Sequence, residues 1–261
     1  MNADRVADLT RAKNRTFGVP TGVRVLMCAV GFVLAGCASG PGANPRDPLE
    51  SMNRGIYEFN DAVDSAFLRP VATAYNNVTP RPVRTGVNNF FSNLSDISSV
   101  INNLLQIKPK EAVETFFRVG VNTLMGLGGV LDVASEMGLE PHREDFGQTL
   151  GRWGMPTGPY LVLPILGPST LRDTASLRAD TLVNPVYNVE HIRSRNSLLL
   201  LNAVDTRAGL LRAGKVLDEA ALDKYSFTRD VYLQKRRNDV YDGSPPDEDA
   251  PAESEAPAAK P

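Results

Sequence analysis

Cysteine, histidine and tryptophan are scarce in this 261-residue chain: two cysteines (Cys28, Cys37), two histidines (His142, His191) and one tryptophan (Trp153). Counting alone excludes a Cys/His zinc cluster and leaves little material for thiol or imidazole chemistry. There is no G-x-S-x-G nucleophile elbow and no H-E-x-x-H pair, so neither a serine hydrolase nor a zincin is signalled. Charge of one sign is not in excess, with 28 basic against 30 acidic residues and a net charge of −2, so the chain has no general attraction to nucleic acid. An uninterrupted apolar run of the roughly 20 residues that cross a bilayer is also missing. Apolar side chains are not: 42% hydrophobic and 22% charged residues are ordinary for a chain with a sizeable core. The length fits one large domain or two small ones.

The N-terminus is patterned as an export signal. Arg11, Lys13, Arg15 and Arg24 precede an apolar run from Val25 to Leu34, followed by Ala35-Gly36-Cys37. Leu34-Ala35-Gly36-Cys37 resembles the bacterial lipobox, whose cysteine is lipidated through a thioether and becomes the mature N-terminus. The competing readings are an exported protein with an incidental cysteine or an uncleaved anchor helix. An internal start at Met27 would delete most of the apolar run, which favours the full-length start. The expected organisation is a signal at 1–36 and a flexible tether at 37–46. A single helical domain follows at 47–241, then a disordered acidic, Pro/Ala-rich tail at 242–261. That tail holds six acids and one lysine and no apolar side chain larger than Ala or Pro, so nothing offsets its ordering entropy. Apart from the lipid on Cys37, no cofactor or metal is expected.

Within the domain, helical spacing dominates. Met52, Ile56, Phe59, Val63 and Phe67 form one stripe, which Arg69-Pro70 is expected to end. Pro82 opens a second helix, with Val83, Val87, Phe90, Phe91 and Leu94 inward. Asp96 caps a third, carrying Ile97, Val100, Ile101, Leu104 and Leu105. Pro109 starts a fourth, with Val113, Phe116, Phe117 and Leu124 on one side. Further helical patterns run over about 170–182, 196–222 and 226–240. Alternating strand patterns are scarce and no repeat is visible, so the fold class is all-α.

Two uncharged stretches break this pattern. Residues 153–171 contain four prolines and three glycines, which forbid a continuous helix. Either they form a buried loop, or Leu161, Val162, Leu163, Ile165 and Leu166 line an apolar passage at a lipid surface. Residues 119–131 are glycine-rich, and Gly126, Gly128 and Gly129 are candidate hinges or plain turn residues. No Gly-Lys-Ser/Thr follows, so this is not a phosphate loop.

The order of short motifs is more specific than any of these features. Asp47-Pro48-Leu49-Glu50, Asn53-Arg54, Glu58-Phe59-Asn60 and Arg69-Pro70 resemble the opening of the MlaA (VacJ) lipoproteins. Asn122-Thr123, Gly126, Gly128-Gly129 and Asp132-Val133-Ala134 are similar to that family's middle signature. Phe146-Gly147-Gln148-Thr149-Leu150-Gly151, Gly158-Pro159-Tyr160, Leu163-Pro164 and Leu171-Arg172-Asp173 complete the match over nearly all of 47–240. The resemblance implies an outer-membrane lipoprotein of a Gram-negative bacterium, lipid-anchored in the inner leaflet. Its helices would form a ring around an amphipathic channel. It further implies partnership with trimeric porins and an MlaC-like periplasmic carrier, to which phospholipids misplaced in the outer leaflet are passed, maintaining lipid asymmetry. Asn122, Gln148 and Arg152 are polar candidates for that pathway, each equally placed to cap or brace the fold. The acidic tail departs from the family pattern.

Two other classes remain. Glu140-Pro141-His142-Arg143-Glu144-Asp145 puts a histidine among carboxylates, but adjacent charges after a proline read as a solvated turn rather than an acid–base site. An enzyme is therefore not expected. The alternative is a structural envelope lipoprotein that scaffolds a porin or cell-wall complex.

Overall fold

The computed structural model describes residues 44–246. Cys37, the signal segment, the tether up to residue 43 and the tail from 247 lie outside the described residues. Residues 50–246 belong to one compact unit. It begins with α1 (Glu50–Val63), a π-helical turn (Asp64–Leu68), α2 (Arg69–Val78), α3 (Arg81–Leu105) and α4 (Pro109–Leu124). Next come the short α5 (Val133–Glu136) and α6 (Phe146–Arg152), then strands β1 (Tyr160–Leu163) and β2 (Gly167–Thr170). The unit closes with α7 (Leu171–Val183), a 3-10 turn (Pro185–Asn188), α8 (Ile192–Ala220) and α9 (Lys224–Val240). α3 packs along α4, α8 along α2, and α6 against α7 and α9.

Helical spacing is borne out, but two boundaries differ from expectation. Arg69-Pro70 does not end the first helix. The chain widens into the π turn, where the Arg69 amide reaches back five residues to the Asp64 carbonyl, and Pro70 lies in the first turn of α2. The π turn is where the continuous helix takes up the missing Pro70 amide. Asp96 caps nothing, because α3 runs unbroken through it for 25 residues. It faces inward toward Arg118, its Oδ2 3.6 Å from the guanidinium Nε.

The larger difference is which way the stripes face. On α4, Val113, Phe116, Phe117 and Leu124 are 52%, 63%, 56% and 85% exposed, whereas Thr115, Arg118 and Asn122 are 0%, 4% and 3% exposed. On α3, Val83, Ile101 and Leu104 face out while Asn93, Asp96, Ser99, Asn102 and Asn103 are buried. On α1 and the π turn that follows it, Met52, Phe59 and Phe67 face out, and Asn53 of α1 is fully buried. These helices are inside out relative to a water-soluble bundle. Leaving a phenylalanine in water forgoes about 2 kcal/mol, and so many together are stable only beside lipid or another apolar surface. No described helix is long and apolar enough to cross a membrane.

A small exception to the all-α pattern lies in the proline-broken segment. β1 and β2 form an antiparallel hairpin, pairing Tyr160 with Thr170 and Val162 with Pro168. Two asparagines of α1 replace the missing third strand. Asn53 donates to the Tyr160 carbonyl at 3.0 Å and accepts from the Val162 amide at 2.9 Å. Asn60 donates to the Leu163 carbonyl at 2.9 Å and accepts from the Ile165 amide at 2.7 Å. Seven residues of helix rise about 10 Å, and three residues of strand span about the same distance. The two amides therefore meet the strand edge in register. Tyr160 and Val162 turn inward onto Tyr225, with Ile56, Tyr57 and Tyr232 around them. Tyr57 and Tyr160 both meet the Tyr225 ring edge to face.

Candidate functional site

Helix N-termini and one arginine organise the polar interior. Asp145 caps α6, accepting from the Gln148 amide at 2.8 Å, and Thr170 caps α7, its hydroxyl accepting from the Asp173 amide at 3.1 Å. Arg236 of α9 ties both ends together. It donates to the two Asp145 oxygens at 2.7 and 2.8 Å and to the two Asp173 oxygens at 2.9 and 3.0 Å. Such bidentate pairing offsets the cost of burying the charges. Burial pushes the Asp173 carboxyl up, but Arg236 outweighs it and holds the group down at about 2. Burial and the neighbouring Asp173 charge raise the Tyr232 phenol, which donates to that carboxylate at 3.0 Å.

Glycine makes this arrangement possible. A Cβ on Gly147 would stand 2.5 Å from Arg236 Nη2 and 2.5 Å from Asp173 Oδ1, and one on Gly151 would stand 2.6 Å from Arg172 Nη1. Spaced four apart on one face of α6, the two glycines leave room for guanidinium groups. Glu144 and Asp145 are thus not members of a solvated turn. Glu144 accepts from Lys108 at 2.9 Å and Gln106 at 2.8 Å, and burial raises its carboxyl despite them. His142 meets Glu114 at 2.6 Å, and its carbonyl accepts from Asn103 at 3.2 Å.

Around the Arg236 knot runs a chain of four cavities. The first, about 500 Å³, is walled by Asn103, Lys108, His142, Gln148 and Arg152. It shares Arg143, Glu144, Gln148 and Asp239 with the second, about 440 Å³, whose wall includes Ser98 and Ser99. The second shares Asp145, Asp180, Lys235 and Arg236 with the third, about 380 Å³, which reaches Leu163, Leu166 and Leu177. Tyr232, Lys235 and Pro168 belong both to the third and to the fourth, about 510 Å³, whose walls are mainly apolar: Val162, Leu210, Leu217, Phe227 and Val231. The series thus grades from charged to apolar. Ser98 Oγ and Asn103 Oδ1 are buried along it without a hydrogen-bond partner.

The expected site residues divide. Gln148 and Arg152 line the polar end, Leu163 and Leu166 the middle, and Val162 the apolar end. Leu161, Ile165 and Asn122 line none of the four. The five apolar candidates therefore do not act as one group. Val162 is core, whereas Ile165 and Leu166 stand exposed at the hairpin tip, with Ile165 at a positive φ of 66°. Asn122 braces the fold, donating to Asp132 at 3.0 Å and accepting from the Ala134 amide at 2.9 Å. Gly126, Gly128 and Gly129 form the turn that ends α4, where Gly128 and Gly129 amides bond back to the Thr123 and Asn122 carbonyls. Gly129 lies against the Asn93 side chain, and Gly128 faces open space at φ 74°. Ser98, Lys235, Arg236 and Asp239 were not singled out by the sequence, and Arg143 only as part of a turn. Lys235, Arg236 and Asp239 lie in a charge-rich helix that looks solvated; Lys235 and Asp239 pair with each other, but the partners of Arg236, Asp173 and Asp145, are 63 and 91 residues away.

Comparison with known proteins gives one consistent answer. A family model for the MlaA lipoproteins matches residues 45–239. The intermembrane phospholipid transport system lipoprotein MlaA of Shigella flexneri is 38% identical over 211 residues, spanning 78% of this chain and 82% of that one. The protein of the same name from Haemophilus influenzae is 34% identical over 223 residues, spanning 81% and 88%. A solved structure, described as the structural basis for maintenance of bacterial outer membrane lipid asymmetry, superposes with a TM-score of 0.66 at 36% identity. It covers 74% of this chain and 98% of that one.

Proposed function

The chain belongs to the MlaA lipoprotein family, and from that premise we propose that its four linked cavities are the path along which phospholipid leaves the outer membrane. The protein acts as an outer-membrane lipoprotein of intermembrane phospholipid transport, maintaining lipid asymmetry. The observation that carries this reading is the inverted polarity of α1, α3 and α4, apolar outside and polar within. Faces of that kind suit a unit embedded among acyl chains. A graded interior suits a molecule with a charged head and apolar tails, because each part then moves against surroundings of its own polarity.

The chemistry needed is passage rather than bond breaking. Ser98 and Asn103 offer unpaired polar atoms to a headgroup, and Gln148 stands where the first two cavities meet. The helices would lie as a ring within the inner leaflet, held by a lipid on Cys37. Trimeric porins and an MlaC-like periplasmic carrier complete the route in this proposal. Trp153 supports an interfacial setting, since its side chain is exposed yet donates its indole N–H to the Leu105 carbonyl at 3.0 Å.

A photo-crosslinking residue at Ser98, Gln148 or Leu166, in membranes from cells making the full chain, tests the path. Crosslinks to phospholipid at all three, and none at Glu190, which is exposed and lines none of the four cavities, are expected. A membrane-bound protein that gave only protein crosslinks at these positions would return the scaffold reading to first place.

A further inference from the structure

A fifth cavity, about 640 Å³, lies between α2, the start of α3 and the second half of α8. It is not part of the charged-to-apolar series at Arg236, but it shares Arg69, Arg207, Gly214 and Asp218 with the apolar trough at the series' end. Its own wall is strongly basic, carrying Arg69, Arg84, Arg207, Arg212 and Lys215 against one acid, Asp218. Two of these cations are already matched. Arg207 donates to Asp64 at 2.6 and 2.7 Å, and Arg69 lies 3.3 Å from Asp64 and 3.5 Å from Asp218. Arg84, Arg212 and Lys215 make no ion pair among the described residues. Arg84 Nε and Asn76 Oδ1 are moreover shut off from solvent without a hydrogen-bond partner. The Arg84 Nε–H is thus a buried donor that an anion would satisfy, and the exposed Arg212 and Lys215 add positive field beside it on the same concave wall.

The joined trough says what kind of anion. It is lined by Leu210, Leu217, Phe227 and Val231, a wall for a hydrocarbon chain rather than for water. We propose that the basic cavity and the trough together hold a glycerophospholipid of net negative charge. Its phosphodiester lies against Arg84, Arg212 and Lys215, and an acyl chain lies along the trough. A zwitterionic headgroup would bring its own ammonium into the field of the three unmatched cations. A phosphatidylglycerol-type headgroup brings none, so the site discriminates by headgroup charge. The proposal rests on the reading of this protein as a phospholipid carrier and specifies which lipids it holds.

The test uses the full-length protein in neutral detergent, titrated with fluorescent phosphatidylglycerol and phosphatidylcholine of the same chain length. Wild type should bind the anionic lipid on the order of tenfold more tightly, with the preference shrinking as salt rises. The Arg84→Gln/Arg212→Gln/Lys215→Gln variant should lose that preference and bind phosphatidylcholine as before. Should Arg84→Gln impair folding, Arg212→Gln/Lys215→Gln alters only exposed positions and should lose part of the preference. Filling the trough with Leu210→Trp should weaken both lipids alike. A preference that survives the triple variant would overturn the proposal. So would displacement of the anionic lipid by an equal concentration of inorganic phosphate, because the cavity would then be a simple phosphate site. Crosslinking at Ser98, Gln148 and Leu166 reads the transport path separately, so the failure of either reading is distinguishable from failure of the other.

Discussion

Single residues set the strength of the Arg236 knot. Asp173 is held at about 2 against an ordinary 3.8. A carboxyl depressed on folding stabilises the protein above its unfolded value, and that contribution is lost as pH falls from about 4 to about 2. Asp173→Asn should therefore cost about 2 kcal/mol at neutral pH, and the gap to wild type should close on acidification. Urea melts of both proteins from pH 7 to pH 2 give the comparison; a gap independent of pH would mean that the carboxylate charge is not what matters. Gly147→Ala should cost about 1–3 kcal/mol, because its Cβ would collide with two buried ionic groups. Gly128→Ala meets no atom and should cost only about 1 kcal/mol, through its positive φ. Comparable melting temperatures for the two alanine variants would contradict this packing account. Gly147, Gly151 and Gln148 were legible as a motif in the sequence. Their reason was not, because Arg236 and Arg172 reach them from elsewhere in the chain.

Elements show where sequence periodicity informs and where it stops. The stripe Val113, Phe116, Phe117 and Leu124 correctly placed α4, yet periodicity fixes only that these residues share a face, not what lies beyond it. In water that face would turn inward. Here it turns outward, and the Asn, Ser and Asp residues that look like breaks in α3 are its interior side. Asp96 resembled a cap for that reason. The β hairpin escaped notice because Tyr160-Leu161-Val162-Leu163 has no polar alternation, and its edge is satisfied by asparagines about 100 residues earlier. Asn60→Ala should free the Ile165 amide and Leu163 carbonyl. Faster hydrogen exchange at Ile165, with the helices unchanged, is the expected result, at a cost of about 1–3 kcal/mol. Unaltered exchange there would show that the strand pairing alone holds the tip. Replacing Phe116 and Phe117 together by serine should leave the melting temperature in detergent within a few degrees of wild type but weaken partition into vesicles. Collapse of the fold in detergent would mean that the two rings pack against protein.

At the scale of the whole molecule, the all-α class and the run of family motifs could be read from the chain, while the cavities could not. Their walls combine α3, α6, α7, α8, α9 and the hairpin, and no local pattern announces such a meeting. Asp242, counted in the tail by composition, is bound to the fold through Lys108 at 2.5 Å. The stretch that composition marks as dispensable therefore starts later. Removing residues 247–261, which contain no large apolar side chain, should leave the melting temperature and membrane association unchanged. A fall of more than a few degrees would assign those residues a place in the fold.

The outward-facing phenylalanines also bear on how the protein reaches its destination. A chain whose stable exterior is greasy has no comfortable life in an aqueous compartment, and two copies meeting there would cling face to face. Delivery must then be escorted, or folding must be postponed until a bilayer is at hand. Protein released from membranes without detergent should sediment as large assemblies rather than as monomers.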